Sequence, residues 1–206
     1  MKKIIAALAF AGICLPALAQ SFAKGNTVVT VGAGFAFYKV YSYEKDTPYY
    51  TNDTAAAFVF PLKVEYGIFD WLGAAFRFNY SNYIEGDSAN TQDVNGIDLG
   101  LQANFHFYRG ARTDLYAGGI ASWSRLRYSE STVSNIQVKG GGSVFGAELG
   151  ARFYFGESKK SGIHFAFSYL GNFYPNLVAT DAAGNTADYY LSATGFQLGL
   201  GLNLKI

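Results

Sequence analysis

The chain has 206 residues, enough for one domain or two small ones. Half of it is apolar, 17% is aromatic with 18 Phe and 16 Tyr, and 24 residues are Gly. Charged residues make up 15%, against roughly 25% in an average soluble protein. A net charge of +1 and a single Cys exclude a basic nucleic-acid footprint and a disulfide scaffold, and the aromatic content excludes a disordered chain.

The first predicted element is an address. Met1-Lys2-Lys3 is basic, Ile4 to Leu15 is almost wholly apolar, and Ala17-Leu18-Ala19 is a small-x-small cleavage site. Residues 1–19 read as a secretory signal peptide, cleaved after Ala19. The apolar run is short for a spanning helix. Cys14 follows Ile13, where a lipoprotein would carry a small residue, so the mature domain at 20–206 is expected to have no Cys. Losing Lys2 and Lys3 takes the net charge from +1 to −1.

From there on the hydrophobic period is two, which places alternate side chains on opposite faces of a strand. A weak alternation covers 27–41. At 58–67, Phe58, Phe60, Leu62, Val64 and Tyr66 alternate with Val59, Pro61, Lys63, Glu65 and Gly67. At 74–81, Phe76, Phe78 and Tyr80 alternate with Arg77, Asn79 and Ser81. At 97–107, Ile97, Leu99, Leu101, Ala103, Phe105 and Phe107 alternate with Asp98, Gly100, Gln102, Asn104 and His106. The stretch 114–128 is ambiguous, because Leu115 and Trp123 share a parity with Arg125 and Arg127. At 145–155, Phe145, Leu149, Phe153 and Phe155 alternate with Gly146, Glu148, Arg152 and Tyr154. A weaker run covers 163–173, and 196–206 alternates again from Phe196 to Ile206.

These are eight strands. Short turns fall near Ile68–Trp71, Arg109–Thr113 and Gly156–Ser161; longer polar loops fall near Glu44–Thr54, Glu85–Val94, Ser129–Gly142 and Pro175–Asp188. An up-and-down antiparallel meander puts the short turns at one end and the long loops at the other.

One face of each strand is Phe and Leu; the other is Gly, Asn and Gln with charges in mid-strand. A soluble lipocalin-like barrel would expose that apolar belt to water. A transmembrane barrel buries it in lipid and fills its narrow lumen with the small and polar face. The run from Phe58 to Tyr66 rises about 26 Å along its strand, or about 20 Å when tilted, near the height of an outer-membrane apolar band. Tyr41, Tyr43, Tyr49, Tyr50, Tyr80, Tyr83, Tyr128, Tyr174, Tyr189 and Tyr190 gather at the long loops, and Tyr66, Trp71, Tyr108 and Phe155 at the short turns. They read as two aromatic girdles.

The hairpin Glu65-Tyr66-Gly67-Ile68-Phe69-Asp70-Trp71-Leu72-Gly73 is similar to periplasmic turns of the small bacterial outer-membrane barrels of the OmpA/OmpX type, and the last strand resembles their assembly signal, ending here in Ile206 instead of Phe. The resemblance covers 20–206. It implies an all-β, eight-stranded antiparallel up-and-down transmembrane β-barrel in the outer membrane with periplasmic termini. It also implies outer-membrane lipid and lipopolysaccharide, periplasmic chaperones and the barrel-assembly machinery as partners.

A charge in a narrow lumen needs a partner. The sequence predicts an interior network of Lys63, Glu65, Arg77, Asp98, Arg125, Arg127, Glu148 and Arg152. Glu65 is expected to pair with Arg77 across the first hairpin, and Asp98 and Glu148 to approach Arg125. This network reads as a structural plug, or alternatively as a gated polar pathway. His164 and Ser168 lie about 13 Å apart on one strand, too far for a nucleophile and its base. His106 and His164 sit three strands apart, a weak metal pair. Gly32-Ala33-Gly34, Gly140 to Gly142 and Gly199-Leu200-Gly201 open no helix and bind no dinucleotide; Gly140 to Gly142 is expected to end a loop.

The expected function is that of a non-enzymatic structural or surface barrel whose tyrosine-rich loops contact a host or cell-surface partner. No cofactor, metal or nucleic acid is expected. A narrow channel is the alternative, and a lipid-modifying enzyme a more distant one.

Overall fold

The computed structural model describes residues 21–45, 50–84, 92–130 and 136–206. Residues 1–20, with the predicted signal peptide and Cys14, and residues 46–49, 85–91 and 131–135 lie outside the described residues. Eight antiparallel strands follow one another around a ring: β1 (Thr27–Glu44), β2 (Tyr50–Phe69), β3 (Leu72–Ile84), β4 (Gln92–Arg109), β5 (Thr113–Glu130), β6 (Gln137–Phe155), β7 (Ser161–Thr180) and β8 (Thr186–Lys205). β1 pairs with β8 from Val28↔Lys205 to Glu44↔Tyr189, which closes the barrel and leaves no free edge.

The short links join Phe69 to Leu72, Arg109 to Thr113 and Phe155 to Ser161. At the opposite rim the strands run further than their hydrophobic pattern suggests. The loop expected at Pro175–Asp188 is mostly ladder: Leu177↔Tyr189, Val178↔Asp188, Ala179↔Ala187 and Thr180↔Thr186 are paired, and only Asp181–Asn185 turns. Pro175 reads as a stop because it has no N–H, but the sheet absorbs it in a register shift between Tyr174 and Leu177. Gly140 to Gly142 likewise lie inside β6, opposite Leu126 to Ser124, not at a loop end.

Alternation sorts the side chains by solvent. Leu101, Leu149, Phe145, Phe167, Leu200 and Leu202 face outward and are exposed, whereas Gln102, Asn104, Arg152, Ser168 and Asn203 face inward and are buried. The outward run from Ile97 to Phe107 rises about 33 Å along β4, or about 25 Å along a barrel axis tilted by about 40°. That is the height of an outer-membrane hydrocarbon band.

The lumen is layered. Its rim half holds Ala36, Tyr38, Ala57, Val59, Ile120, Val144, Leu170 and Ala193, capped by Leu126, Tyr174 and Leu177. Its short-turn half holds most of the buried charges. Tyr83 and Tyr174 belong to this filling: they pack against the inner apolar clusters instead of joining an outer girdle.

Candidate functional site

The buried charged groups among the described residues are the cations Lys63, Arg77 and Arg152, the acids Glu65, Asp98, Asp114 and Glu148, and two histidines, His106 and His164. Period-two alternation aims each one inward from its strand. Two clusters and one isolated acid result.

The deeper cluster lies at the short-turn end. His106 on β4 places Nδ1 2.7 Å from Asp114 and Nε2 2.8 Å from Glu65. A carboxylate only accepts, so a doubly protonated imidazolium satisfies both contacts. Arg152 on β6 crosses the same two acids, donating to Glu65 and, at 3.2 Å, to Asp114. Gly73 makes this possible: a Cβ there would collide with the Glu65 carboxylate. Glu65 and Arg77 form no pair across their hairpin. Arg77 stands opposite Lys63 in the ladder and donates to Gln197 at 3.4 Å, while Glu65 stands opposite Ala75.

The second cluster surrounds Tyr116 on β5. Its hydroxyl donates to Glu148 and accepts from Lys63 Nζ, both at 2.7 Å, and lies 2.7 Å from His164 Nε2. Lys63 also bridges directly to Glu148 at 2.7 Å. Gln102 and Ser168 donate to Glu148 at 2.9 Å and 3.1 Å. The ring of Tyr116 sits under Arg152, 4.7 Å from the guanidinium carbon, and so joins the two clusters. Gly150 is its seat, since any Cβ there would overlap the ring.

Asp98 is separate, higher in the lumen. It accepts from Ser124 at 2.5 Å and from Asn79 at 3.3 Å, and Ser124 also meets the Tyr174 hydroxyl at 2.7 Å.

Arg125 and Arg127 are not in the lumen. Both are exposed on the outer wall, as is Trp123, while Ser124 and Leu126 point inward. β5 pairs with β6 without a register break from Thr113 to Ser129, so whatever faces the lipid with Trp123 also faces it with the two arginines. Neither Asp98 nor Glu148 therefore meets Arg125. Putting the arginines inside assigns the wrong face of β5 to the lumen and hides Asp114 and Tyr116, which hold the network together. The usable signal was Leu115, Ala117, Ala121 and Trp123 on one parity, with a charge tolerated only past the end of the apolar run.

The N-terminal segment closes the short-turn mouth. Phe22 is fully buried and stacks on His106 with ring centroids 3.6 Å apart. Ser21 donates through N to Gly110 at 3.0 Å and through Oγ to Thr113 at 2.9 Å. Lys24 N donates to Asp70 at 2.9 Å, Gly25 N to Gly67 at 2.8 Å, and Lys205 Nζ reaches the Ser21 carbonyl at 3.4 Å. The strap is thus tied to two turns and to the last strand. Sequence periodicity carries no trace of it, because it is neither strand nor helix.

Both histidines are engaged by other side chains of the lumen. His164 engages Tyr116, and Ser168 engages Glu148. Glu65 and Asp114 engage opposite nitrogens of His106 with Arg152 across them, and no group of three or more metal donors converges among the described residues.

A closed eight-stranded barrel with an apolar outer belt and a charged, plugged lumen defines a small transmembrane barrel. A model of the outer membrane protein β-barrel domain matches residues 5–203, and the chain belongs to that family. No curated protein matches the chain. Among solved structures it is similar to the outer membrane protein OprG from Pseudomonas aeruginosa, with a TM-score of 0.60 and 11% identity over 90% of this chain and 97% of that one. Neisserial surface protein A is similar at a TM-score of 0.56 and 14% identity, over 89% of this chain and 99% of that one. The outer membrane protease OmpT from Escherichia coli is similar at 0.51 and 10%, over 88% and 97%. At such identities the likeness extends to the fold alone. The protein resides in the outer membrane of the Gram-negative envelope, and by the rule for such barrels its short-turn end is periplasmic.

Proposed function

We propose that this barrel is a non-enzymatic, non-conducting outer-membrane protein that works through its outer surfaces. The observation that carries this reading is the filling of its lumen. Side chains from the strands meet across the axis in an apolar layer around Tyr38, Ile120, Val144 and Leu170, with Leu126, Tyr174 and Leu177 above it. The enclosed void among Lys63, Arg77, Glu148, His164 and Gln197 has a volume of about 20 Å³, room for about one water. An ion crossing this lumen would have to shed its hydration against an apolar plug.

The outer rim offers the contact surface. Tyr43 pairs with Tyr50 on one side and Tyr190 on the other, and Tyr43 and Tyr190 stack at 5.0 Å. Tyr50 is 83% exposed. These rings stand above the lipid-facing Phe35 and Phe37 on β1, at the height where a lipid, host or protein partner would meet the barrel.

Planar-bilayer recording on the refolded chain is the test. Silence from folded protein is expected. Steady openings would replace this reading with that of a channel, in which the charged layers form the pathway.

A further inference from the structure

We propose that Trp123, Arg125, Arg127 and Lys139 form a site on the outer wall for the phosphorylated headgroup of an acylated outer-leaflet lipid. The two arginines lie on the outward face of β5. Arg127 stands directly opposite Lys139 on β6, and Arg125 opposite Gly141, which carries no side chain. Trp123, one outward step below, is 52% exposed and lies over Gly141, whose Cβ would come within 3.4 Å of the indole nitrogen. Lys139 Nζ donates to Gln137 at 2.8 Å. Among the described residues no carboxylate pairs with either arginine. The neighbouring acid on β4 is Asp93, opposite Ser129 and one outward step above Arg127.

Depth identifies the ligand. Arg125 is ten residues beyond Leu115 on the same face, which is about 25 Å up the barrel axis and therefore at the outer headgroup level. Guanidinium groups match phosphate oxygens through paired N–H donors. Beneath the cations β5, β6 and β7 carry a shallow furrow of about 450 Å³, floored by Ala117, Gly119 and Ala147 and walled by Leu149 on β6 and by Phe167 and Tyr169 on β7. A phosphate held by the cations would lay an acyl chain along this furrow. The indole of Trp123 would sit at the junction of head and chain. The site does not depend on the lumen being sealed: a conducting barrel would still carry it.

The chain has two Trp, so Trp71→Phe leaves Trp123 as the sole reporter. The full mature chain, refolded in neutral maltoside micelles, is titrated with bisphosphorylated lipid A. A saturable change in Trp123 emission is expected. R125Q/R127Q/K139Q is expected to weaken it by at least about tenfold, while K139R, which keeps the charge, binds as the parent does. Should the triple variant not refold, Arg127→Gln alone carries the test with about fivefold loss. Equal binding by the glutamine variants, or by dephosphorylated lipid A, overturns the proposal. Displacement of the lipid by inorganic phosphate at the same concentration overturns it too, since the site would then hold a free anion.

Discussion

The two halves of the lumen are filled by different physics. In the periplasmic half, stability rests on partners: Glu65, Asp114, His106 and Arg152 interlock, and Tyr116 ties them to Lys63 and Glu148. In the outer half, apart from the bonds of Asp98 to Ser124 and Asn79, it rests on volume: Ile120, Val144 and Leu170 pack as in the core of a soluble protein. The difference teaches what each half forbids. A buried ion tolerates no loss of its counter-ion, whatever the shape of the replacement. A buried leucine tolerates a change of shape but not a void.

The largest expected effect follows from Arg152, which touches two acids at once. Arg152→Met should destabilise the barrel by about 3–5 kcal/mol, because Glu65 and Asp114 are left short of positive charge. Adding Glu65→Gln and Asp114→Asn should recover a large part of that loss. Urea unfolding in lipid vesicles measures both; a triple variant no better than Arg152→Met alone would show that shape, not charge, rules this half.

In the outer half, Leu170→Ala should cost about 3 kcal/mol through the cavity it leaves, and Leu170→Met less than about 1.5 kcal/mol. The same unfolding assay decides. If Leu170→Met cost as much as Leu170→Ala, the outer half would not be a plug held by volume.

A smaller effect separates the two periplasmic clusters. Tyr116→Phe keeps the ring under Arg152 and the Lys63–Glu148 bridge but removes the hydroxyl shared by Glu148, Lys63 and His164. About 1–2 kcal/mol should be lost. A neutral result would mean that the ring alone joins the clusters.

The comparison also shows how far a sequence reaches. Strand number, antiparallel order and the apolar exterior were legible, because each strand from β2 to β8 shows runs in which alternate residues are apolar. Lys63, Glu65, Arg77, Asp98, Glu148 and Arg152 fall on the polar parity of such runs, and each lies in the lumen. Their partners were not legible. Partnership across a barrel depends on stagger and on which inward positions are Gly, as Gly73 under Glu65 and Gly150 under Tyr116 show. β5 is ambiguous because its outward face adds Arg125 and Arg127 to Leu115, Ala117, Ala121 and Trp123, while its inward face carries Tyr116, Ile120 and Leu126, so parity alone does not decide it. Depth would have: a charge facing lipid is costly at mid-membrane and cheap at the headgroups. Phe22 lay beyond any periodic argument.

The least effect is expected where neither half of the lumen is involved, in the turn between β7 and β8. Asp181 there lies at the surface, and its carboxylate accepts from Ala183 N at 2.9 Å, from Asn185 N at 2.8 Å and from Asn185 Nδ2 at 2.8 Å. The hydrogen bonds from the Asn185 side chain and backbone hold its carboxyl below the ordinary aspartate value. A group depressed on folding stabilises the turn above its unfolded value, and that help fades as pH falls through the folded value. The order of the turn should therefore persist at neutral pH and loosen only below the usual aspartate range. The amide shifts of Ala183 and Asn185, followed from neutral pH into strong acid, should titrate together with a midpoint below that of an ordinary aspartate. Asp181→Asn should abolish that titration and leave the unfolding midpoint of the barrel unchanged. A shared titration that moved the barrel's own stability would mean the hairpin tip is coupled to the plug beneath it, and the turn could no longer be set apart from the outer half of the lumen.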